Sequence, residues 1–388
     1  MKVIIIGNGI AGVSTAETIR AADKNCDVTI ISDEKYPIYS RPRLIEFLSS
    51  KATIEQITIH ARSWYAKNNL RLLLSSRVTD LDVESKKVGD NSGKIFAYDK
   101  LVIAAGASCQ VPQVPGINAE NVLTLRTIED AEKIRALASY GKKAAVIGGG
   151  LLGIEAAASL QSLGILVTVI EVFDRLLPRQ LDGESSGIIQ KLLEKKDMAF
   201  QIGRTIRSVE RYKGGLRIFC SDGKETSADF MVISAGIQPN LSVTQGTSIE
   251  RNRGILVDDC MRTTVQDIYA CGDVAEHQGT LCGLWQPCRE QGMTCGSHIL
   301  GKEVSYKGTV SSVRLRVAGV ELASIGEIES RDGVRGITEK DESAGFYKKL
   351  FVKDKKLVGA VLIGNVKEAV KLQKMIKDGE DIKDFSSP

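Results

Sequence analysis

A chain of 388 residues, 43% hydrophobic and 26% charged with a formal net charge of +4, exceeds what one core usually fills and has the composition of an ordinary globular protein. No apolar run approaches the roughly 20 residues that cross a bilayer, and no basic cluster interleaved with aromatics supplies the footprint of a nucleic-acid binder. The eight cysteines form no C-x-x-C pair, and Cys282, Cys288 and Cys295 match no zinc or iron-sulfur spacing, so no metal site is expected and the thiols read as reduced and cytosolic.

The opening Met1-Lys2-Val3-Ile4-Ile5-Ile6 is interrupted by Gly7, Gly9 and Gly12, with no cleavage region after it. It therefore reads as the buried first strand of a cytoplasmic protein and not as a secretory signal. A helix is expected from about Gly12 to Ala22 and a second strand over Val28 to Ile31. Gly7-Asn8-Gly9-Ile10-Ala11-Gly12 is G-x-G-x-x-G in that strand-to-helix setting. The first glycine permits the tight turn, the second lets a pyrophosphate approach the backbone, and the third lets helix and strand pack closely, with phosphate charge on the helix N-terminus. The acid that would hold a ribose hydroxyl is displaced, because Ser32 stands at the usual position. Asp33 is favoured for that role, Glu34 is the alternative, and both also read as solvated turn acids.

Val111-Pro112-Gln113-Val114-Pro115-Gly116 reads as an extended junction. Lys143 to Ile147 then opens the same pattern again, with Gly148-Gly149-Gly150-Leu151-Leu152-Gly153, a helix from Gly153 to Leu163 and a strand Val167 to Ile170. Two βαβ units some 140 residues apart imply two doubly wound halves of an α/β protein. Glu171 closes the second unit, where a carboxylate accepts hydrogen bonds from ribose hydroxyls and repels a 2′-phosphate. NAD(H) is therefore expected over NADP(H), with Arg175 the residue that would soften the preference. A second crossing should lie near Gly236 to Asn240. After Gly301 come strands at Val313 to Val317, Leu350 to Val352 and Leu357 to Ile363, then a charged helix near Val366 to Lys377. The expected division is 1–112 with 237–302, 113–236, and a C-terminal α+β domain at 303–388. A simple dehydrogenase needs one dinucleotide site, whereas a flavoprotein reductase needs two, because a nicotinamide must stack on a flavin to deliver its hydride.

Tyr39-Ser40-Arg41-Pro42-Arg43-Leu44, Leu101-Val102-Ile103-Ala104-Ala105-Gly106, Leu176-Leu177-Pro178-Arg179-Gln180-Leu181-Asp182, Ala235-Gly236-Ile237-Gln238-Pro239-Asn240 and Ile268-Tyr269-Ala270-Cys271-Gly272-Asp273 carry a resemblance over essentially the whole chain. It resembles the FAD-dependent pyridine nucleotide-disulfide oxidoreductase superfamily. Within it the chain is most similar to NADH:rubredoxin oxidoreductases and to the flavin-binding N-terminal part of NADH nitrite reductases. The resemblance implies two Rossmann-like, glutathione reductase-like domains holding FAD and NADH. It implies Asp273 on the ribityl or pyrophosphate part of FAD, Arg41 and Pro42 along the flavin, Ala105 and Gly106 over the pyrophosphate, and Val78 at the adenine edge. Arg126 would reach FAD or form a surface salt bridge with Glu129 or Asp130, and Glu155 would lie near the nicotinamide. Gly7, Gly9, Ala11 and Gly12 complete the expected FAD set. Gly148, Gly150, Leu152, Gly153, Glu171 and Gly236 form the expected NAD set.

What the chain lacks narrows the subclass. No thiol occurs between Val28 and Cys109, where dithiol members of the superfamily place their redox cysteines, and no histidine follows His298. Disulfide reduction is therefore not expected. Ile45-Glu46 stands where related ferredoxin reductases usually carry a lysine. The chain ends at Pro388 without a sirohaem or cysteine-rich module, so a complete nitrite reductase is not expected. The leading expectation is an NADH-dependent flavoenzyme that passes electrons to rubredoxin or a similar small acidic redox protein. A thiol-independent NADH oxidase, a flavin subunit of a nitrite reductase and a flavin-based redox sensor are the alternatives. Lys348, Lys349, Lys353, Lys355 and Lys356 read either as a surface steering an acidic partner or as a solvated face. A monomer is favoured.

Overall fold

The computed structural model describes residues 1–329, 333–341 and 343–382. The chain divides into two compact units, one of Met1–Phe47, Ala52–Ser108 and Ile237–Thr309, the other of Leu48–Lys51, Cys109–Gly236 and Val310–Pro388.

The first unit is built on a five-stranded parallel sheet in the order Ile268–Ala270, Lys100–Ile103, Lys2–Ile6, Asp27–Ile31, Leu70–Leu73. Four successive residues of the central strand, Val3 to Ile6, are buried. This suits a parallel strand covered on both faces, which needs apolar residues at every position and not alternation. The helix starts at Ile10, two residues earlier than the glycine pattern suggests, with Gly9 as its N-cap, and runs to Ala22. It packs on the helix Trp285–Ile299 where that helix carries Gly292 and Gly296. A Cβ on Gly292 would lie 2.3 Å from the Ala11 carbonyl oxygen, and one on Gly296 would lie 2.7 Å from that of Thr15. The Thr15 hydroxyl donates across the contact to Gly292 O at 3.1 Å. A three-stranded antiparallel sheet, Val78–Asp82, Lys87–Asp90 and Ile95–Ala97, completes the excursion between the strands at Leu70 and Lys100.

The second unit repeats the plan, with parallel strands in the order Ala199–Ile202, Leu166–Glu171, Lys143–Ile147, Phe230–Ile233, Val122–Thr124. Its helix spans Leu151–Ser162, again two residues earlier than expected. In both copies the third glycine of the motif sits one turn inside the helix, because its task is packing and not initiation. The C-terminal part of this unit is an antiparallel sheet in the order Ser312–Val317, Val320–Gly326, Lys356–Ile363, Phe346–Lys353, Val334–Asp341, covered by the helix Ala369–Asp378. Observed strands extend one to several residues beyond the expected ones, and the closing helix begins at Ala369 instead of Val366.

Asp182 ties this sheet to the nucleotide-binding strands. It N-caps the helix Gly183–Glu194 by accepting from Ser185 N at 2.9 Å. It also accepts from Lys349 Nζ at 2.6 Å and from the hydroxyl of the fully buried Tyr347 at 3.1 Å. Burial opposes its charge, but Lys349 and Ser185 hold its carboxyl below the ordinary aspartate range. Lys348 is paired with Glu368 at 2.5 Å. Two of the five lysines considered for partner steering are thus engaged with carboxylates of their own unit. Asp182→Ala removes a cap, leaves the half-buried Lys349 ammonium without its carboxylate, and leaves the Tyr347 hydroxyl with the longer bond to Glu184 at 3.3 Å. It is expected to lower the unfolding free energy by about 2–3 kcal/mol, read from urea denaturation. A loss below about 0.5 kcal/mol, within the range of ordinary surface changes, would remove Asp182 from this role.

Candidate dinucleotide sites

In the first unit the carboxyl ends of three adjacent parallel strands bring Gly7, Ala104–Gly106 and Gly272–Asp273 together, the location at which open α/β sheets bind ligands. Gly7 N donates to Ile31 O at 2.8 Å, Ala104 N to Ile6 O at 2.8 Å, and Cys271 N to Ile103 O at 3.1 Å. Gly7 has φ +112°, and a Cβ there would lie 2.1 Å from the Ala104 carbonyl oxygen. A Cβ on Gly12 would lie 2.1 Å from Gly7 O. Those two contacts set the turn. Gly9 differs from both, since a Cβ there meets nothing within 4 Å. It caps the helix without a side-chain hydrogen bond, and no acid stands in the first turn. The leading N–H groups and the positive end of the helix therefore face open space, a ready site for phosphate. Asn8 is buried, its Oδ1 accepts from the Tyr65 hydroxyl at 2.9 Å, and its Nδ2 has no protein partner. Such an orphan donor beside an open cradle fits a bound oxygen-rich group.

Asp273 accepts at Oδ1 from Gly283 N and Cys288 Sγ, both at 3.1 Å. Gly272, with φ +82°, would bring a Cβ to 2.8 Å from Ala11 Cβ, and its N–H donates to the wholly buried Gln291 Oε1 at 2.8 Å. Ala11 and Asp273 thus belong to one wall. Arg41 belongs to the same neighbourhood. Burial works against its charge, but Tyr39, Glu34 and then Asp273 hold it above its ordinary basicity. The Glu34 carboxylate receives both Arg41 and the Tyr39 hydroxyl. Asp33 is more exposed and meets the outer edge of Arg77, at 3.5 Å. Ala105 and Gly106 are fastened by Asn240, whose Nδ2 donates to Ala105 O at 2.8 Å and whose N–H donates to Gly106 O at 3.0 Å. Pro42 is exposed, and Val78 is half-buried at the start of its strand.

The second unit carries the same turn. Gly148 has φ +108° and would place a Cβ 2.3 Å from Ser234 O, Gly153 would place one 1.9 Å from Gly148 O, and Gly150 meets nothing within 4 Å. Gly150 caps the helix without a side-chain bond, and Leu152 is half-buried in its first turn. Ser234-Ala235-Gly236 stands where the first unit has Ala104-Ala105-Gly106, and Gly236 has φ +107°. Glu171, 4% exposed, is held by the backbone N–H groups of Gly149 and Phe173. A Cβ on Gly149 would lie 3.1 Å from its Oε2. The first unit solves that space the other way, with the side chain on Asn8 and the small residue at Ser32. Arg175 is paired with Asp174 at 3.0 Å. Arg126 falls in this second unit. The side chain of Asp130 accepts from the backbone N–H groups of Arg126 and Thr127, at 2.9 and 3.1 Å, in a capping box. Sequence reasoning did not single out Asn8, Asn240 or Gln291. Only the pair Gly292 and Gly296, four apart on one helix face, signalled a close helix contact beside Gln291.

Burial pushes the Glu155 carboxyl up to about 7. The sign follows from the folded value lying above the unfolded one. Ionising Glu155 costs the folded state nothing below about pH 4.5, progressively more as pH rises to about 7, and a constant amount above that. Glu155→Gln is therefore expected to stabilise the protein by up to about 3 kcal/mol at pH 8 and not at pH 4, measured as urea midpoints at the two pH values. A pH-independent effect would refute this. Gly9→Ala and Gly150→Ala offer a sharper test of the cradles, because neither methyl meets protein. Each is expected to lower the unfolding free energy by no more than about 1 kcal/mol, the size of an N-cap change, while weakening its own dinucleotide at least about tenfold, read as flavin retention for Gly9→Ala and NADH titration for Gly150→Ala. Undiminished binding would move the phosphates elsewhere.

Residues 1–292 match the family model described as pyridine nucleotide-disulphide oxidoreductase, and residues 312–380 match that of the rubredoxin NAD+ reductase C-terminal domain. The chain is 35% identical over 383 residues to the "Assimilatory nitrate reductase electron transfer subunit" of Bacillus subtilis, covering 98% of this chain and 50% of that one. It thus spans about half the length of that relative. It is 33% identical to the "NADH-rubredoxin oxidoreductase" of Clostridium acetobutylicum over 391 residues, covering 100% of this chain and 97% of the other. The crystal structure of NADH:rubredoxin oxidoreductase from that organism superposes with a TM-score of 0.81 at 31% identity, over 100% of this chain and 97% of that one. The two cradles and these matches agree: the chain belongs to the pyridine nucleotide-disulphide oxidoreductase family.

Proposed function

We propose that this chain takes hydride equivalents from NADH and delivers electrons to a small iron-sulfur redox protein, with rubredoxin the first candidate, in the cytoplasm and without redox-active cysteines in the transfer path. The observation that carries the reading is the pair of complete glycine cradles, each with an open N-cap, on a chain whose C-terminal segment matches the rubredoxin NAD+ reductase model. FAD, when bound, supplies the conversion of a two-electron donor into one-electron steps.

In this reading the first unit holds FAD. Gly7, Gly9, Ala11 and Gly12 shape the phosphate site, with Asn8 Nδ2 as an added donor. Asp273 accepts from the hydroxyl-bearing chain of the cofactor. Ala105 and Gly106, pinned by Asn240, close over the pyrophosphate, and Val78 borders the adenine. Arg41, with Pro42 beside it, lines the flavin and keeps its charge because Glu34 and Tyr39 hold it. That leaves Asp33 as the freer acid for the ribose.

The second unit holds NADH through Gly148, Gly150, Leu152, Gly153 and Gly236. Glu171 is already oriented by two backbone donors, so it meets ribose hydroxyls without reorganising and leaves a 2′-phosphate facing a buried carboxylate. Glu155, with its carboxyl near neutrality, carries or releases a proton close to working pH beside the nicotinamide.

Anaerobic stopped-flow reduction by NADH, followed by mixing with rubredoxin, tests the proposal. Bleaching of the yellow flavin within milliseconds and its reoxidation by rubredoxin far faster than by air are expected. Rapid reoxidation by oxygen with no response to rubredoxin would replace it with an oxidase. A long-lived reduced complex that neither acceptor discharges would replace it with a sensor.

A further inference from the structure

Two thiol pairs flank the Gly272-Asp273 turn. Cys271 and Cys295 meet in the core beside Thr15, and both are wholly buried. On the other side Cys288 donates to Asp273 Oδ1 at 3.1 Å, and Gln291 Nε2 donates to Cys282 Sγ at 3.0 Å. Gly283, next to Cys282 in the chain, and Cys288 meet on Asp273 Oδ1, and Gln291, three residues after Cys288 on the same helix, reaches Cys282 Sγ, so the fold gathers both cysteines around the same two side chains. Cys282 is half-buried and Cys288 is 5% exposed. Both protein donors to Asp273 Oδ1 described above, Gly283 N–H and Cys288 S–H, belong to the short segment bounded by these two cysteines.

We propose that Cys282 and Cys288 form a redox dithiol whose closure to a disulfide loosens Asp273 and thereby weakens the hold on FAD. The idea rests on the reading of Asp273 as an FAD ligand. The oxidant is a low-molecular-weight disulfide such as oxidised glutathione. The more accessible Cys282 gives its proton to water and attacks one sulfur of that disulfide, forming a mixed disulfide and expelling one glutathione thiolate. Cys288 then attacks Cys282 Sγ, the mixed disulfide breaks, and the second glutathione thiolate leaves. The Cys288 proton passes to Asp273 Oδ1, its hydrogen-bond acceptor, and from there to the departing thiolate. Two protein thiols are oxidised, and one disulfide is reduced to two thiols.

The order follows from the surroundings. The neighbouring Cys282 thiol, burial and the Asp273 carboxylate all push the Cys288 thiol well up, so it is a poor first nucleophile and needs a partner already activated beside it. Bonding within the Cys282–Cys288 segment removes the Cys288 S–H and shortens the loop that presents Gly283. Asp273 then loses one donor, and the other is displaced.

The test treats the FAD-loaded protein with oxidised glutathione. Tandem mass spectrometry maps the disulfides, and flavin fluorescence on dilution gives the FAD dissociation constant. Expected are a Cys282–Cys288 bond, Cys271 and Cys295 still reduced, and an FAD dissociation constant raised about tenfold, the size of effect expected for one lost hydrogen bond to a charged group. Dithiothreitol should reverse the change, and Cys282→Ser should abolish it. Absence of that disulfide, or a disulfide that leaves FAD affinity unchanged, overturns the proposal. Asp273→Asn tests the underlying reading separately: it loses FAD where Asp273 is a ligand and keeps it where that reading fails, whatever the thiols do.

Discussion

Each half of the molecule offers a dinucleotide a site because the chain passes from a buried strand into a helix within three residues, with the helix backed against its own turn. Gly12 rests on the carbonyl of Gly7, and Gly153 rests on that of Gly148. In both places a single methyl group would overlap the oxygen by more than an ångström. The close approach is possible only with the left-handed backbone at Gly7 and Gly148. It aims the uncapped N–H groups of the helix outward past Gly9 and Gly150, where nothing of the protein intrudes. The open helix end is therefore a by-product of packing: the residues that close the interior leave it uncovered, in the form suited to a phosphate.

Around these turns, acids are held before they are used. Glu171 is anchored by two backbone donors, Glu34 by Arg41 and Tyr39, and Asp273 by Gly283 and Cys288. A carboxylate already oriented gives up little freedom when a ligand hydroxyl arrives, which is the energetic sense of preorganisation. Glu155 is the contrast. Burial acts on it and lifts its carboxyl to about 7, so its charge responds to pH near neutrality.

The C-terminal sheet shows a related economy. The helix cap at Asp182 also receives Lys349 and Tyr347, so one side chain starts a helix and fastens a sheet. Lysines that look in sequence like a docking face are partly committed to this internal work, as Lys348 and Lys349 are. Exposure cannot be judged from charge runs, because whether a lysine is free depends on which carboxylates the fold brings to it.

The sequence by itself determined the two doubly wound halves, the location of both cradles, the acid at position 171 and the absence of thiols between Val28 and Cys109. These are local properties: apolar strands of fixed length, glycines at fixed offsets, and a residue type at the end of a strand. Tertiary structure alone decided which residues finish the sites. Asn8 carries an unpaired amide because Tyr65, 57 residues away, takes its other end. Asn240 pins Ala105 across 135 residues, and Gln291 reaches back to Gly272. The different surroundings of Asp33 and Glu34 could not be read locally, because they come from Arg41 and Tyr39 closing on Glu34. Contacts between residues so far apart in the chain leave no periodic trace in it, and only the folded sheet brings them within hydrogen-bonding distance.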